Sequence, residues 1–175
     1  MSIKSPTKYW WEEPLDREEK TWVTFAIIWC IVLTFMMPYW HYTGSQNPSN
    51  EYARITTANF DSATDKFIAK YKVGDEKGFA VVAPPPGADI FLRGKQFAWE
   101  PILKLQKGKQ YKLHLSSIDM NHGLSLQPLQ MNFQAVPGWD NVFNITPTTS
   151  GVVAIICNEY CGLGHHTMVG KIYVD

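Results

Sequence analysis

Neither sign of charge is in excess in this chain: sixteen Lys and Arg stand against sixteen Asp and Glu over 175 residues. Nothing in that balance points to the clustered basic face that a nucleic-acid partner usually needs. Internal repeats and low-complexity tracts are also absent, so the chain is not a repeat array. Charge is missing altogether between Lys20 and Glu51. The gap is filled by one apolar run, Trp22 to Met37, followed by Pro38, Tyr39 and Trp40. A bilayer core takes about 20 mostly apolar residues, and 21–40 meets that length. Aromatics are plentiful, with seven Trp, eight Tyr and nine Phe. Trp10, Trp11 and Trp22 border one end of the run and Tyr39, Trp40 and Tyr42 the other, where amphipathic rings settle among lipid headgroups. A cleaved signal peptide fits less well, because the run is long and no small-x-small site follows it. A buried core helix is the remaining alternative.

Lys4, Lys8, Arg17 and Lys20 precede the run, and no Lys or Arg follows it before Arg54. The positive-inside rule therefore predicts a cytoplasmic N-terminus. The rest of the chain is then expected on the periplasmic or extracellular side of the plasma (inner) membrane, where disulfides are permitted.

The length leaves room for one compact domain plus an appendage. Residues 1–20 read as a cytoplasmic segment in which Pro14-Leu15-Asp16 resembles a helix start. Residues 21–42 are the expected transmembrane helix. Residues 43–88 read as a linker and peripheral segment, with a polar stretch over 43–50 and a short amphipathic helix over about 57–70, where Phe60, Ala63, Phe67 and Ile68 recur at helical spacing. Pro84-Pro85-Pro86-Gly87 breaks any helix or central strand. Residues 89–175 form a domain of short strands. They are expected over 89–99, 102–105, 110–117, 122–127, 141–146, 151–157 and 168–174, with Lys107-Gly108-Lys109 as a hairpin turn. Val152 to Ile156 is apolar without alternation, as in a strand covered on both faces. The expected fold is an all-β sandwich or barrel with one N-terminal transmembrane α-helix.

Cys157, Cys161, His165 and Met168 fall within Cys157-Asn-Glu-Tyr-Cys-Gly-Leu-Gly-His-His-Thr-Met168. On the cysteines alone a structural disulfide is an equally good reading. The imidazole and thioether change that, because two thiolates, an imidazole and a thioether form a soft donor set of the kind copper prefers. A mononuclear blue copper site needs one thiolate; a second lets two sulfurs bridge two ions. Gly162 and Gly164 permit a tight turn, so that the side chains converge. A pair of ions also needs a second imidazole. His41 lies at the membrane edge, His114 is expected in water on the polar face of a strand, and His166 opposite His165 if that stretch is extended. His122 remains, in a polar loop between two apolar strands.

The segments 116–126 and 155–174 resemble subunit II of haem-copper terminal oxidases. The single apolar run and Cys157-Asn-Glu-Tyr-Cys-Gly-Leu-Gly-His165 resemble the B-type members, and the similarity covers about 20–175, weakly over 43–88. The resemblance implies a cupredoxin-like fold holding a dinuclear copper centre (CuA). It implies Cys157 and Cys161 as bridging thiolates, His122 and His165 as terminal imidazoles, Met168 as the weak axial ligand of one copper, and the Glu159 carbonyl as that of the other. The Glu159 side chain is also implied as a magnesium ligand at a subunit interface. Gly94 to Trp99 is similar to the aromatic segment through which electrons enter, which implies that role for Phe97 or Trp99; both are equally well read as core packing. Asp119 is expected to hydrogen-bond a ligand histidine or to hold a turn.

The implied function is that of the subunit that accepts electrons from cytochrome c, or a similar small redox protein, and passes them to the haem of catalytic subunit I, where dioxygen becomes water. The partners expected are therefore that subunit, the donor and the lipid bilayer, and no nucleic acid. Two alternatives are the CuA subunit of a nitric oxide reductase and a membrane-anchored copper chaperone.

Overall fold

The computed structural model describes residues 14–44 and 50–175. Lys4, Lys8, Trp10 and Trp11, and residues 45–49 of the expected polar linker, lie outside the described residues. The chain divides into two units, Met1–Ser45 and Gln46–Asp175.

The first unit contains helix α1, Arg17–Thr43. It begins with a capping box: the Asp16 carboxylate accepts the Glu19 amide at 2.7 Å, and the Glu19 carboxylate accepts the Asp16 amide at 3.1 Å. These bonds satisfy two amides that the first helical turn leaves without partners. The helix includes the whole of 21–42. At about 1.5 Å per residue its 27 residues exceed the roughly 30 Å of a hydrocarbon core. Its apolar window has a mean hydropathy of 1.9, and none of its residues is buried by the protein.

The second unit is a β-sandwich. Its elements are β1 (Asn50–Arg54), α2 (Thr57–Tyr71), β2 (Lys72–Glu76), β3 (Phe79–Val82), β4 (Asp89–Lys95), β5 (Ala98–Glu100), β6 (Ile102–Leu105), β7 (Tyr111–Ser117), β8 (His122–Gln127), β9 (Met131–Ala135), β10 (Trp139–Ile145), β11 (Gly151–Cys157) and β12 (Val169–Val174). One sheet has the order β1-β10-β7-β4-β5, the other β2-β3-β6-β12-β11-β8-β9. Alternating inward residues of both sheets, among them Leu92, Leu113, Leu115, Leu124, Ile155 and Ile172, fill one core.

Several expectations need correction. Segment 43–88 is not peripheral: β1 forms an edge of the first sheet, and β2 and β3 extend the second. Helix α2 buries Phe60 and Phe67, whose rings lie 5.8 Å from Phe91 on β4. The stretch 89–99 is two antiparallel strands, with Lys95 facing Ala98. The Lys107-Gly108-Lys109 turn does not close a hairpin. It carries the chain from β6, in one sheet, to β7, in the other, and is held by Lys107 N–H to the Asp175 carbonyl and Gly108 N–H to the Pro147 carbonyl. Finally, β11 is covered on one face only, since Val152 and Ile156 are 58% and 40% exposed while Val153 and Ile155 are buried.

Arg93 on β4 ties α2 to the first sheet. Its guanidinium reaches Asp61 at 2.5 Å, Asp65 at 2.7 Å and Glu100 at 3.0 Å, and Lys95 reaches Glu100 at 2.8 Å. Burial opposes the charge on Glu100, but the hydrogen bonds from Lys95 and Arg93 outweigh it and hold the carboxyl below its ordinary value. Arg93→Met leaves three carboxylates without their central cation. It is expected to cost roughly 2 kcal/mol in chemical denaturation of the detergent-solubilised chain, toward the low end for a broken ion pair because Asp61 and Asp65 remain partly in water. A carboxyl depressed in the folded state stabilises above its unfolded value and loses that contribution as pH falls through its folded one. The gap between variant and parent is therefore expected to narrow on acidification.

Candidate metal centre

The site lies where two adjacent strands end. Strand β8 begins at His122 and its neighbour β11 ends at Cys157, with Cys157 facing Leu124 across the ladder. Beyond the ladder, the Asn158 amide donates to the Gly123 carbonyl at 3.1 Å. Gly123 is required there: a Cβ would lie 2.0 Å from the Asn158 side-chain oxygen and 3.0 Å from the Glu159 nitrogen. The loop then turns through Gly162, at φ +121°, where glycine alone is relaxed. A 3-10 turn at His165–Thr167 follows, and the chain re-enters the sheet at β12.

These turns bring the expected donors together. His122, Cys157, Cys161 and Met168 are almost completely buried, and the last three belong to the sandwich core. The Cys157 and Cys161 sulfurs are 3.7 Å apart. A disulfide needs about 2.05 Å, so the bland reading of the cysteines is not the one found. His122 Nδ1 lies 3.9 Å from the Cys157 sulfur, and His165 Nδ1 lies 3.5 Å from the Cys161 sulfur. The Met168 sulfur is 3.7 Å from Cys161, and the Glu159 carbonyl oxygen is 3.3 Å from Cys157. One donor atom each from His122, Cys157 and Cys161 falls within a common 4.8 Å. Metal–thiolate bonds of about 2.3 Å let both sulfurs reach a common ion, since twice that length exceeds their separation. The soft, buried donors fit copper.

Asp119 selects the histidine tautomer. Its carboxylate lies 2.8 Å from His122 Nε2. An ionised carboxylate only accepts, so Nε2 carries the proton and the Nδ1 lone pair faces the sulfurs. Burial opposes the Asp119 charge. Hydrogen bonds from His122, the Gln96 and Met120 amides and the Ser117 hydroxyl outweigh that and hold the carboxyl below its ordinary value. Without a metal, burial first and Cys157 second push the Cys161 thiol up to about 11. It therefore holds a proton on Sγ at neutral pH, and a metal must displace that proton on binding.

The two aromatic candidates occupy different surroundings. Trp99 is 3% exposed and meets the His122 ring edge-on, with centroids 6.0 Å apart. Phe97 lies against the ligand loop, so closely that a Cβ on Gly164 would come within 2.4 Å of its ring. Glu159 turns its carboxylate to Gln134, whose amide donates at 2.5 Å. It is the one carboxylate lining an open pocket of about 360 Å³ with Asn50, Tyr52, Asn132, Phe133, Gln134 and Asn158. His166 is exposed. His114 is not simply solvated: its Nδ1 lies 2.7 Å from Asp140, and its ring stacks on Phe91 at 4.6 Å. The residue that sequence reasoning missed is Gln96. It lies within the Gly94–Trp99 segment that stands out for its aromatics rather than for this residue, yet its amide donates to the Cys161 carbonyl at 2.7 Å.

The fold and the site together define a cupredoxin-like domain with a soft-donor cluster at one end, in a chain that also has a helix apolar enough to span a membrane. No protein-family model matches the chain. A cytochrome c oxidase subunit 2 of Thermus thermophilus is 25% identical over 159 residues, which cover 89% of this chain and 90% of the relative. A second protein of that name from Thermus thermophilus is 31% identical over 97 residues, covering 54% and 72%. A probable cytochrome c oxidase subunit 2 of Streptomyces coelicolor is 35% identical over 132 residues, covering 75% and 37%. Among solved structures, a chain of a heme-copper terminal oxidase dimer superposes with a TM-score of 0.56 at 22% identity, covering 91% of this chain and all of that one. A rusticyanin variant superposes with a TM-score of 0.50 at 18% identity, covering 74% and 99%. The chain belongs to the cytochrome c oxidase subunit 2 family.

Gly164 has an ordinary negative φ of −90°, so the cost of a side chain there is purely steric. Gly164→Ala is expected to destabilise the domain by roughly 1–3 kcal/mol, the usual range for overpacking. Adding Phe97→Leu is expected to restore part of that loss in a double-mutant thermal unfolding series.

Proposed function

We propose that this chain is the electron-accepting subunit of a haem-copper oxidase. In this reading it takes electrons from a cytochrome c, or a similar small redox protein, at a dinuclear copper centre. It passes them to the haem of the catalytic subunit, where dioxygen is reduced to water. The observation that carries the proposal is a pair of buried, unbonded cysteine sulfurs 3.7 Å apart with an imidazole beside each. Cys157, Cys161, His122 and His165 would hold the copper, with both thiolates shared between the ions, and Met168 and the Glu159 carbonyl would be its weaker donors. Bound there, copper supplies a one-electron couple whose charge is spread over two ions and two sulfurs.

The protein's part is to hold still and keep water out. His122, Cys157, Cys161 and Met168 sit in a packed β framework, so donor positions change little as charge arrives and leaves. Asp119 fixes the His122 ring. Trp99, edge-on to that ring, is the better placed of the two aromatics to carry electrons inward, while Phe97 supports the loop. Magnesium at Glu159 would need further oxygen ligands and would compete with the Gln134 amide for that carboxylate. The lysine and arginine distribution supports a single-pass orientation with a cytoplasmic N-terminus and the copper domain on the periplasmic or extracellular side.

The oxidase names of the relatives favour dioxygen over nitric oxide as the terminal acceptor. Burial of the donors disfavours a chaperone, which must exchange its metal. Measuring which gas the purified complex consumes decides between the first two, and copper exchange with an external chelator tests the third.

Reconstituted with copper, the full chain in detergent is expected to hold two ions and show mixed-valence absorption and EPR. Cys161→Ser is expected to lose both the second ion and those signals; their survival would sink the shared-thiolate assignment. Met168→Leu is expected to keep both ions and shift the midpoint potential. Residues 41–175 contain twelve Lys and Arg and eleven Asp and Glu. Electron input from the donor is accordingly expected to fall only weakly with added salt, read by stopped-flow reduction.

A further inference from the structure

Gln96 lies in the two-residue turn between β4 and β5 and is solvent-exposed, yet it makes three contacts with the donor cluster's supports. Its backbone amide donates to Asp119 Oδ2 at 2.7 Å, while Asp119 Oδ1 accepts from His122. Its side-chain amide donates to the Cys161 carbonyl at 2.7 Å and lies 3.3 Å from the Met120 sulfur. His122 and Cys161 come from different elements: one begins β8, the other lies in the loop after β11. Among the described residues, Gln96 bridges the Asp119 support of His122 and the backbone of Cys161 from a single turn. An exposed residue with such bonds is not there to fill space, because removing its side chain opens no core cavity. Its amide hydrogens instead place a fixed positive dipole against the backbone of one bridging cysteine, and donors near a redox site stabilise its electron-rich state.

We propose that Gln96 is a positioning residue that locks the His122 half of the cluster to the Cys161 half and raises the electron affinity of the metal held there. The second half of this statement rests on the copper reading above. Gln96→Leu removes the side-chain donor while keeping the backbone amide to Asp119. Gln96→Glu reverses the dipole into a negative charge. Gln96→Met, longer and equally unable to donate, is the second apolar variant should the leucine disturb folding.

The full chain in detergent is measured in two forms. In the metal-free form, amide hydrogen exchange over 157–168 is expected to quicken about tenfold in Gln96→Leu, the equivalent of one hydrogen bond's roughly 1.4 kcal/mol. In the copper-loaded form, two ions are expected to remain. The midpoint potential is expected to fall in the order parent, leucine, glutamate, with an altered copper hyperfine pattern in EPR. A merely structural contact would not produce that ordering. An unchanged potential and spectrum in all three variants overturns the proposal, whatever the exchange rates do. If the parent itself fails to bind two ions, the copper reading falls, and the exchange arm alone judges the lock: unchanged protection then overturns it.

Discussion

Cys157 faces Leu124 across the β8–β11 ladder, and that register decides what the end of the sandwich can do. It brings His122 and Cys157 side by side at the rim and leaves the Asn158 amide opposite the Gly123 carbonyl, which launches the ligand loop. Side chains alternate along a strand, so a slip of one residue would turn Cys157 outward and Ile156 into the core. The inward set Val153, Ile155 and Cys157, all buried, fixes the register by the same hydrophobic preference that builds the core. The cysteine is thus held by packing before any metal is considered.

Much of that end was legible in the sequence. The bounds 122–127 and 151–157 coincide with β8 and β11, because Leu124 and Leu126 alternate with small or polar residues in the first, the second is an apolar run, and turn residues follow each. The cluster 157–168 reads out directly, because its chemistry and its glycines are local. The segment 43–88 was hidden for a physical reason. Strand β1 exposes four of its five residues, so it shows no alternation, and β2 is short, polar and carries Gly74. The partner of β1 is supplied from far along the chain, by β10, and the β2–β3 pair joins the sheet through β6. The turn at 107–109 shows the same limit: Lys-Gly-Lys specifies a bend, but nothing local says whether the next strand joins the same sheet or crosses to the other. His114 reads as solvated by alternation, whereas Asp140 reaches it from β10 in the neighbouring register.

The polar groups around the cluster are arranged against an unfavourable background. Burial, with Cys157 behind it, pushes the Cys161 thiol up, and burial opposes the charge on Asp119. Asp119 overcomes that with four hydrogen bonds of its own, whereas Cys161 has no comparable compensation among the described residues. The asymmetry is chemically apt: the carboxylate must stay ionised to orient His122 in any state, while the thiol waits for a cation to take its proton's place. Gln96 belongs to the first kind of support and is built from the turn that also presents Phe97 to the loop. One short connection thereby braces the cluster from two directions.

Four of the side-chain and backbone donors after β11, from Cys161 back to Glu159 and on to Met168, come from one loop, and Met168 immediately precedes β12, the strand that lies between β6 and β11 in its sheet. His122 is contributed 35 positions before Cys157. A nascent chain therefore presents the histidine early and the rest together, just ahead of its closing strand. Until β12 inserts between β6 and β11, nothing holds Met168 beside Cys161. On the copper reading, a metal would then find its full donor set only once β12 has joined the sheet, because Met168 directly precedes that strand.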